Sequence, residues 1–179
     1  MSRSTTWRTG PTSSCATRRG DLLVIYHCHG GAHASVVCAA VHLGLLPADR
    51  VPTADELWAV RWFGREEPAD HGRIRCMGVD SRGTKVCVLG RRNVFRVLRR
   101  AVEVVAREMG VWAPGEVLFV DTLPCANWYM RVGALLSRAA GLRRLGRPLV
   151  VHGTRKAYPE LVALVRRTLA GMEGRPEGG

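Results

Sequence analysis

Hydrophobic residues along the chain fall into short runs, and the first run is followed by a change of period. Leu22–Tyr26 is an uninterrupted apolar segment, which predicts a buried β-strand. Gly30 and Gly31 mark a tight turn after it, and from Ser35 the apolar residues recur at the spacing of one helix face. The segment 21–46 is therefore predicted to be a strand–glycine loop–helix unit.

Turn residues divide the rest of the chain into further strands and helices. Thr53 and Glu56 fit a capping box, which predicts a short helix over 54–60. The turn sequence Asp-Ser-Arg-Gly predicts a hairpin whose simplest register pairs Cys76 with Cys87. The strands of this hairpin are predicted over 73–79 and 84–89. The later elements are a helix over 93–109, a strand over 116–120, a helix over 127–140, a strand over 149–152 and a helix over 159–170.

Strands that alternate with helices indicate an α/β fold, because crossover helices return the chain to begin parallel strands. We expect a three-layer sandwich with a mostly parallel sheet and one antiparallel hairpin. A single α/β domain is predicted over 21–170, with a disordered basic tail over 1–20 and a frayed C-terminus over 171–179.

Ligands of such sheets bind beyond the carboxyl ends of the parallel strands. Three predicted loops fall at that edge and can line one crevice: 28–35, 121–127 and 153–156. The crevice is the predicted functional site.

The charge of the chain narrows the class of partner. With 27 Lys and Arg against 15 Asp and Glu, the 179 residues carry a net charge of +12. This excess favours a phosphate-containing small molecule as the ligand, with nucleic acid as the alternative.

The apolar and cysteine patterns indicate where the protein works. No apolar stretch approaches the ~20 residues that span a bilayer, and residues 1–20 lack the apolar core of a secretory signal. The six cysteines form no C-x-x-C pair, as expected in a reducing compartment. We expect a cytoplasmic protein without a membrane segment.

The glycine loop is predicted to bind phosphate, because backbone N–H groups and a helix N-terminus converge there. A Walker A loop is excluded, since Ala34 stands where that motif has lysine. The predicted binding residues are Gly30, Gly31 and Ser35 in the loop, Asn127 and Arg131 at the start of a helix, and Arg155 and Lys156 after the predicted strand over 149–152.

Four residues are candidates for catalysis. Cys28 lies before the helix N-terminus, where a thiol can have a lowered pKa, and His29 and His33 can act as proton donors or as general acid and base. The loop resembles the C-x-G-x-x-x-R-S loop of low-molecular-weight tyrosine phosphatases at Cys28, Gly30 and Ser35, with alanine at the arginine position. That resemblance implies phosphoryl chemistry with Asp121, before Pro124, as a general acid.

Two other functions remain open, and no cofactor is assigned. His27, His29 and His33 surround Cys28, and imidazoles suit zinc, so a metal-dependent hydrolase is one alternative. The other is a non-catalytic RNA- or protein-binding regulatory module that uses the arginine face of the helix over 93–109. The inward residues of that helix are predicted to be Val94, Val97, Leu98, Ala101, Val102 and Val105.

Several longer motifs together resemble one known family. They are YHCHGGAHASVVCAAVHLGLLP, GVDSRGTKVCVLGRR, NWYMRVGALLSR and GRPLVVHGTRKAYPELV. Over residues 22–167 the chain resembles the bacterial domain of unknown function 3189 family, although Ala34 stands where a small hydroxyl residue is expected. The resemblance implies a small single-domain cytoplasmic protein of unassigned activity, and it transfers no catalytic role.

Overall fold

The computed structural model describes residues 22–65, 71–108, 110, 116–138 and 142–173. Its elements are β1 Leu23–Cys28, α1 Ala34–His42, α2 Ala54–Ala59, β2 Ile74–Val79, β3 Lys85–Gly90, α3 Phe95–Glu108, β4 Val117–Asp121, α4 Trp128–Arg138 and α5 Arg143–Glu173. The tail predicted over 1–20 lies outside the described residues, as do 174–179. Among the described helices, none has the length and apolar content needed to cross a bilayer.

β1 is an interior strand of a four-stranded sheet with the order β2-β3-β1-β4. It pairs in parallel with β3 on one side and β4 on the other, whereas β2 runs antiparallel to β3. The predicted pairing of Cys76 with Cys87 is present, and the register shifts between Cys76 and Gly78. The prediction of a mostly parallel sheet with one antiparallel hairpin is confirmed.

Side chains of β1 alternate between two helical layers, so all six residues of the strand are buried. Val24 and Tyr26 belong to a large core formed with α1 and α5. Leu23 and Ile25 belong to a smaller core against which Leu98 of α3 packs. Helices therefore cover both faces of the sheet, as a three-layer α/β fold requires.

The region 149–170 differs from the prediction. The strand over 149–152 and the loop over 153–156 are wrong, because both lie inside the single helix α5. A short apolar run is compatible with either a buried strand or a buried helix. The buried residues Val150, Ala157, Leu161 and Val165 are seven, four and four positions apart, which is helical spacing.

Glycines allow α4 and α5 to pack closely against each other. A Cβ atom at Gly133 would lie 2.7 Å from the backbone nitrogen of Val150, and one at Gly153 would lie 2.8 Å from that of Met130. Gly153, which the sequence suggests is a turn residue, is thus a helix-contact residue, because a larger side chain would separate the two backbones.

The buried face of α3 is narrower than predicted. Leu98 and Val102 are partly buried, but Val94, Val97 and Val105 are more than half exposed. The helix begins at Phe95, whose ring lies 4.0 Å from that of His27, centroid to centroid. This contact fixes which side of α3 faces the sheet, and that rotation exposes the three valines.

Candidate functional site

A cavity of about 390 Å³ opens where β1 and β4 end and α4 begins. Its lining residues are Cys28, His29, Gly30, His33, Ala34, Leu123, Ala126, Met130, Arg131, Ala134 and Leu135. Two of the three loops predicted to form a crevice, 28–35 and 121–127, therefore contribute to one cavity, and the third is replaced by α5.

The sulfur of Cys28 lies within hydrogen-bond distance of two polar groups. The backbone N–H of Gly31 donates to Cys28 Sγ at 3.1 Å, and Ser35 Oγ lies 3.3 Å from the same sulfur. α1 begins at Ala34, so the positive end of its dipole is at the same point. An N–H group, a hydroxyl and a helix N-terminus can all interact favourably with an anion.

Two glycines permit the loop after β1 to cross the end of β3. Gly31 has a φ of +70°, and a Cβ atom there would lie 2.5 Å from the backbone nitrogen of Gly90. A Cβ atom at Gly90 would in turn lie 2.7 Å from the carbonyl oxygen of Gly30. The loop conformation therefore depends on the absence of side chains at both crossing positions.

Arg75 of β2 supports the loop from below, and the sequence interpretation missed it. Its guanidinium donates to the carbonyl oxygen of Gly31 at 2.7 Å and lies 5.2 Å from the centroid of the Trp62 ring. The residue is buried. The sequence signal was a charged residue inside a predicted strand, where burial requires hydrogen bonding or charge pairing. The loop thus has a buried positive charge beside it, although Ala34 provides none.

His27 and Asp121 lie on the opposite face of the sheet from Cys28. Arg91 Nε donates to His27 Nδ1 at 2.9 Å, and the Arg91 guanidinium also donates to Asp121 Oδ2 at 2.9 Å. Burial lowers the pKa of His27 to about 4, against the opposing effect of the Asp121 carboxylate. Asp121 also accepts the backbone N–H of Leu123 and does not line the cavity.

The three histidines proposed as metal ligands are therefore divided between two faces. His29 and His33 line the cavity, whereas His27 is buried against Phe95 on the α3 side. Across the described residues, no group of three or more His, Cys, Asp and Glu side chains is arranged to hold a metal ion.

The predicted binding residues outside the loop have different positions. Asn127 caps α4 by accepting the N–H of Met130 at 3.1 Å and donates to the carbonyl of Gly153 at 2.8 Å. Arg131 lines the cavity.

The two cations predicted to follow the strand over 149–152 lie elsewhere on α5. Arg155 lines a separate groove, and the ammonium of Lys156 lies 5.2 Å from the centroid of the Tyr129 ring. Neither lines the cavity at Cys28. Both were predicted to lie at the cavity because they follow the predicted strand over 149–152, and that strand is part of α5.

The two walls of the cavity have different chemistry. The loop contributes Cys28, His29 and His33, and α4 contributes Arg131. None of the lining residues is acidic. The remaining wall is mainly aliphatic, formed by Leu123, Ala126, Met130, Ala134 and Leu135. Such a cavity suits a ligand with an anionic group at one end and an apolar body at the other.

Comparison with known proteins identifies the family and no characterised relative. No curated protein and no solved structure matches the chain. The model of the family described as "Protein of unknown function (DUF3189)" matches residues 23–169, which include every strand of the sheet and the loop at Cys28. The chain belongs to the DUF3189 family.

Proposed function

We propose that the protein binds a phosphate-containing small molecule in the cavity at Cys28. One observation carries the proposal: the N–H of Gly31 and the hydroxyl of Ser35 converge on Cys28 Sγ beside the N-terminus of α1. An N–H group, a hydroxyl and a helix N-terminus at one point can also bind the oxygens of an anion next to the sulfur.

The distribution of charge supports an anionic ligand. His29, His33 and Arg131 face the cavity together with the sulfur, and the buried guanidinium of Arg75 lies under the loop. A phosphate monoester carries close to two negative charges at neutral pH, so each of these groups favours its binding.

The aliphatic wall supports an ester in preference to inorganic phosphate as the natural ligand. Leu123, Met130 and Ala134 can bury the carbon part of the molecule while the phosphate lies against the loop. A ligand with an alkyl or aryl group gains affinity from that contact, because apolar area leaves water.

Phosphoryl transfer to Cys28 is the chemistry that this arrangement favours. The thiolate forms an S–P bond while the P–O bond to the leaving alcohol breaks, and an imidazolium of His29 or His33 protonates the departing oxygen. Water then attacks phosphorus, the S–P bond breaks, phosphate leaves, and the neutral imidazole takes up the proton from water.

Titrations with inorganic phosphate and with alkyl and aryl phosphate monoesters test the proposal. We expect each to raise the thermal unfolding midpoint as its concentration increases above its dissociation constant, and the monoesters to bind more tightly. Arg131→Gln should weaken binding about tenfold, which corresponds to one lost charge-assisted hydrogen bond. Cys28→Ala should retain binding and abolish phosphate release, whereas the control Cys125→Ala should change neither.

Gly31→Val is unsuitable for this test, because a side chain at Gly31 meets the backbone of Gly90 and strains the fold. The proposal fails if the folded wild-type protein binds neither phosphate nor any monoester at millimolar concentration. It fails equally if Arg131→Gln binds them as the wild type does.

A further inference from the structure

A second cavity lies between α2 and α5, apart from the loop after β1. Its volume is about 480 Å³, and it is lined by Trp58 of α2 and by Arg144, Arg147, His152 and Arg155 of α5, among others. It shares no lining residue with the cavity at Cys28. We refer to it as the arginine groove.

Three arginines of the arginine groove lie on one face of α5. Arg144 and Arg155 are eleven positions apart, which is about three helical turns or roughly 16 Å, with Arg147 between them. All three side chains are exposed. Within the part of the chain that the structure describes, none of them forms an ion pair. Their charge is therefore available to a ligand.

Arg147 is held in position by an aromatic ring. Its guanidinium carbon lies 4.2 Å from the centroid of the Trp58 ring. Stacking occupies the face of the guanidinium and leaves its N–H donors at the edge, where they can bind two oxygens of one phosphate. The interaction limits the freedom of the side chain before any ligand binds, which lowers the entropy lost on binding.

Negative charge is sparse around the arginine groove. Between Asp121 and Glu160 the sequence contains no acidic residue, and the same stretch contains Arg131, Arg138, Arg143, Arg144, Arg147, Arg155 and Lys156. The acidic residues of α2 are Asp55 and Glu56, and neither lines the groove. Glu56 is paired with Arg50. The charge of the groove is complementary to a polyanion.

Exposed aromatic surface adjoins the arginine groove. The ring of His152 lies 5.0 Å from that of Tyr129, which in turn lies 4.1 Å from that of Trp128. Trp128 is 59% exposed, although tryptophan usually buries most of its surface. Cations in a row next to an exposed aromatic ring are the two features of a surface that binds single-stranded nucleic acid.

We infer that the arginine groove binds the phosphate backbone of single-stranded nucleic acid, with a base stacked on Trp128. This goes beyond the small-molecule site and does not depend on it. Recognition rests on backbone charge and stacking, so little preference among sequences is expected.

Fluorescence anisotropy of the full chain with a labelled oligouridylate of about 12 nucleotides tests the inference. Three phosphate contacts give a slope of about −2 for the logarithm of the binding constant against that of salt concentration, or about a 20-fold loss between 50 and 200 mM salt. Combining Arg144→Gln, Arg147→Gln and Arg155→Gln should weaken binding at least tenfold. Trp128→Ala should weaken the binding of the oligonucleotide but not the binding of inorganic triphosphate.

The matched control combines Arg96→Gln, Arg100→Gln and Arg107→Gln, which removes the same charge from the exposed face of α3. It should change affinity less than twofold. Equal weakening by both triple variants would overturn the inference, since net charge would then explain binding. A salt-dependence slope near zero for the wild-type protein would also overturn it. The same holds if triphosphate displaces the oligonucleotide and Trp128→Ala has no effect on oligonucleotide affinity. Cys28→Ala should leave oligonucleotide binding unchanged, which separates this result from the fate of the small-molecule site.

Discussion

Acidification is expected to destabilise the protein through His27. The ring is buried, stacks on Phe95 and accepts a hydrogen bond from Arg91 Nε at Nδ1. Protonation removes the acceptor and places a second positive charge beside the guanidinium. Desolvation and this repulsion keep the imidazole neutral, and the pKa of His27 is lowered to about 4.

The size and sign of the effect follow from the two pKa values. Above the unfolded pKa of about 6.5 the ring is neutral in both states, and the full contribution to stability is present. Below it the unfolded chain takes up a proton that the folded protein does not, so stability falls as the pH falls from about 6.5 towards 4. Each pH unit in that interval costs about 1.4 kcal/mol, which amounts to about 3 kcal/mol in all.

Urea unfolding of wild type and His27→Gln at about pH 7.5 and pH 5 measures this contribution. Glutamine keeps an oxygen acceptor for Arg91 and does not titrate. The difference in free energy of unfolding between the two proteins should shift by about 2 kcal/mol between these pH values. The pKa of His42 is also lowered by burial, but its contribution occurs in both proteins and cancels. A difference that stays constant with pH would refute the role assigned to His27.

Three further substitutions and one control variant test hydrogen bonding, helix packing and helix capping. Arg75→Met keeps the stem but loses the bond to Gly31, so we expect ~1.5–3 kcal/mol lower stability and weaker phosphate binding, read by urea unfolding and phosphate titration. Gly133→Ala should destabilise by ~1–3 kcal/mol through overpacking, whereas Gly171→Ala, which meets open space, should be neutral or stabilising in the same unfolding assay. Thr53→Ala removes a capping-box hydrogen bond and should lower the free energy of unfolding by about 1 kcal/mol in the same assay.

Local sequence signals were sufficient for most of the fold. The capping box at Thr53 and Glu56 is present, and β1 with its glycine turn and helix occurs where the change of period indicated. Such signals act over a few residues, so they can be read without tertiary information. They failed at 149–156, where glycine at position 153 is typical of a turn but allows two helices to pack closely.

The candidate site was predictable where it lies on one continuous segment. Cys28, His29 and His33 line the cavity together, since the loop brings them there by itself. Arg75 was not found, because its contact with Gly31 depends on strand order, which no local pattern specifies. Asp121 was expected on the same side, but its position in β4 pairs it with His27, and its carboxylate accepts a hydrogen bond from Arg91 on the opposite face of the sheet from Cys28.

The position of β1 in the sheet has a consequence for synthesis on the ribosome. Leu23 pairs with Lys85 and Val117, which are 62 and 94 residues further along the chain (85 minus 23 and 117 minus 23). At ~5–20 residues per second, β1 is made roughly 3–12 s before β3 and 5–19 s before β4. During that interval a strand whose six residues are all buried in the folded protein has neither neighbour. The nascent chain is therefore most prone to aggregation before its third strand appears, and chaperone contact is most useful at that stage.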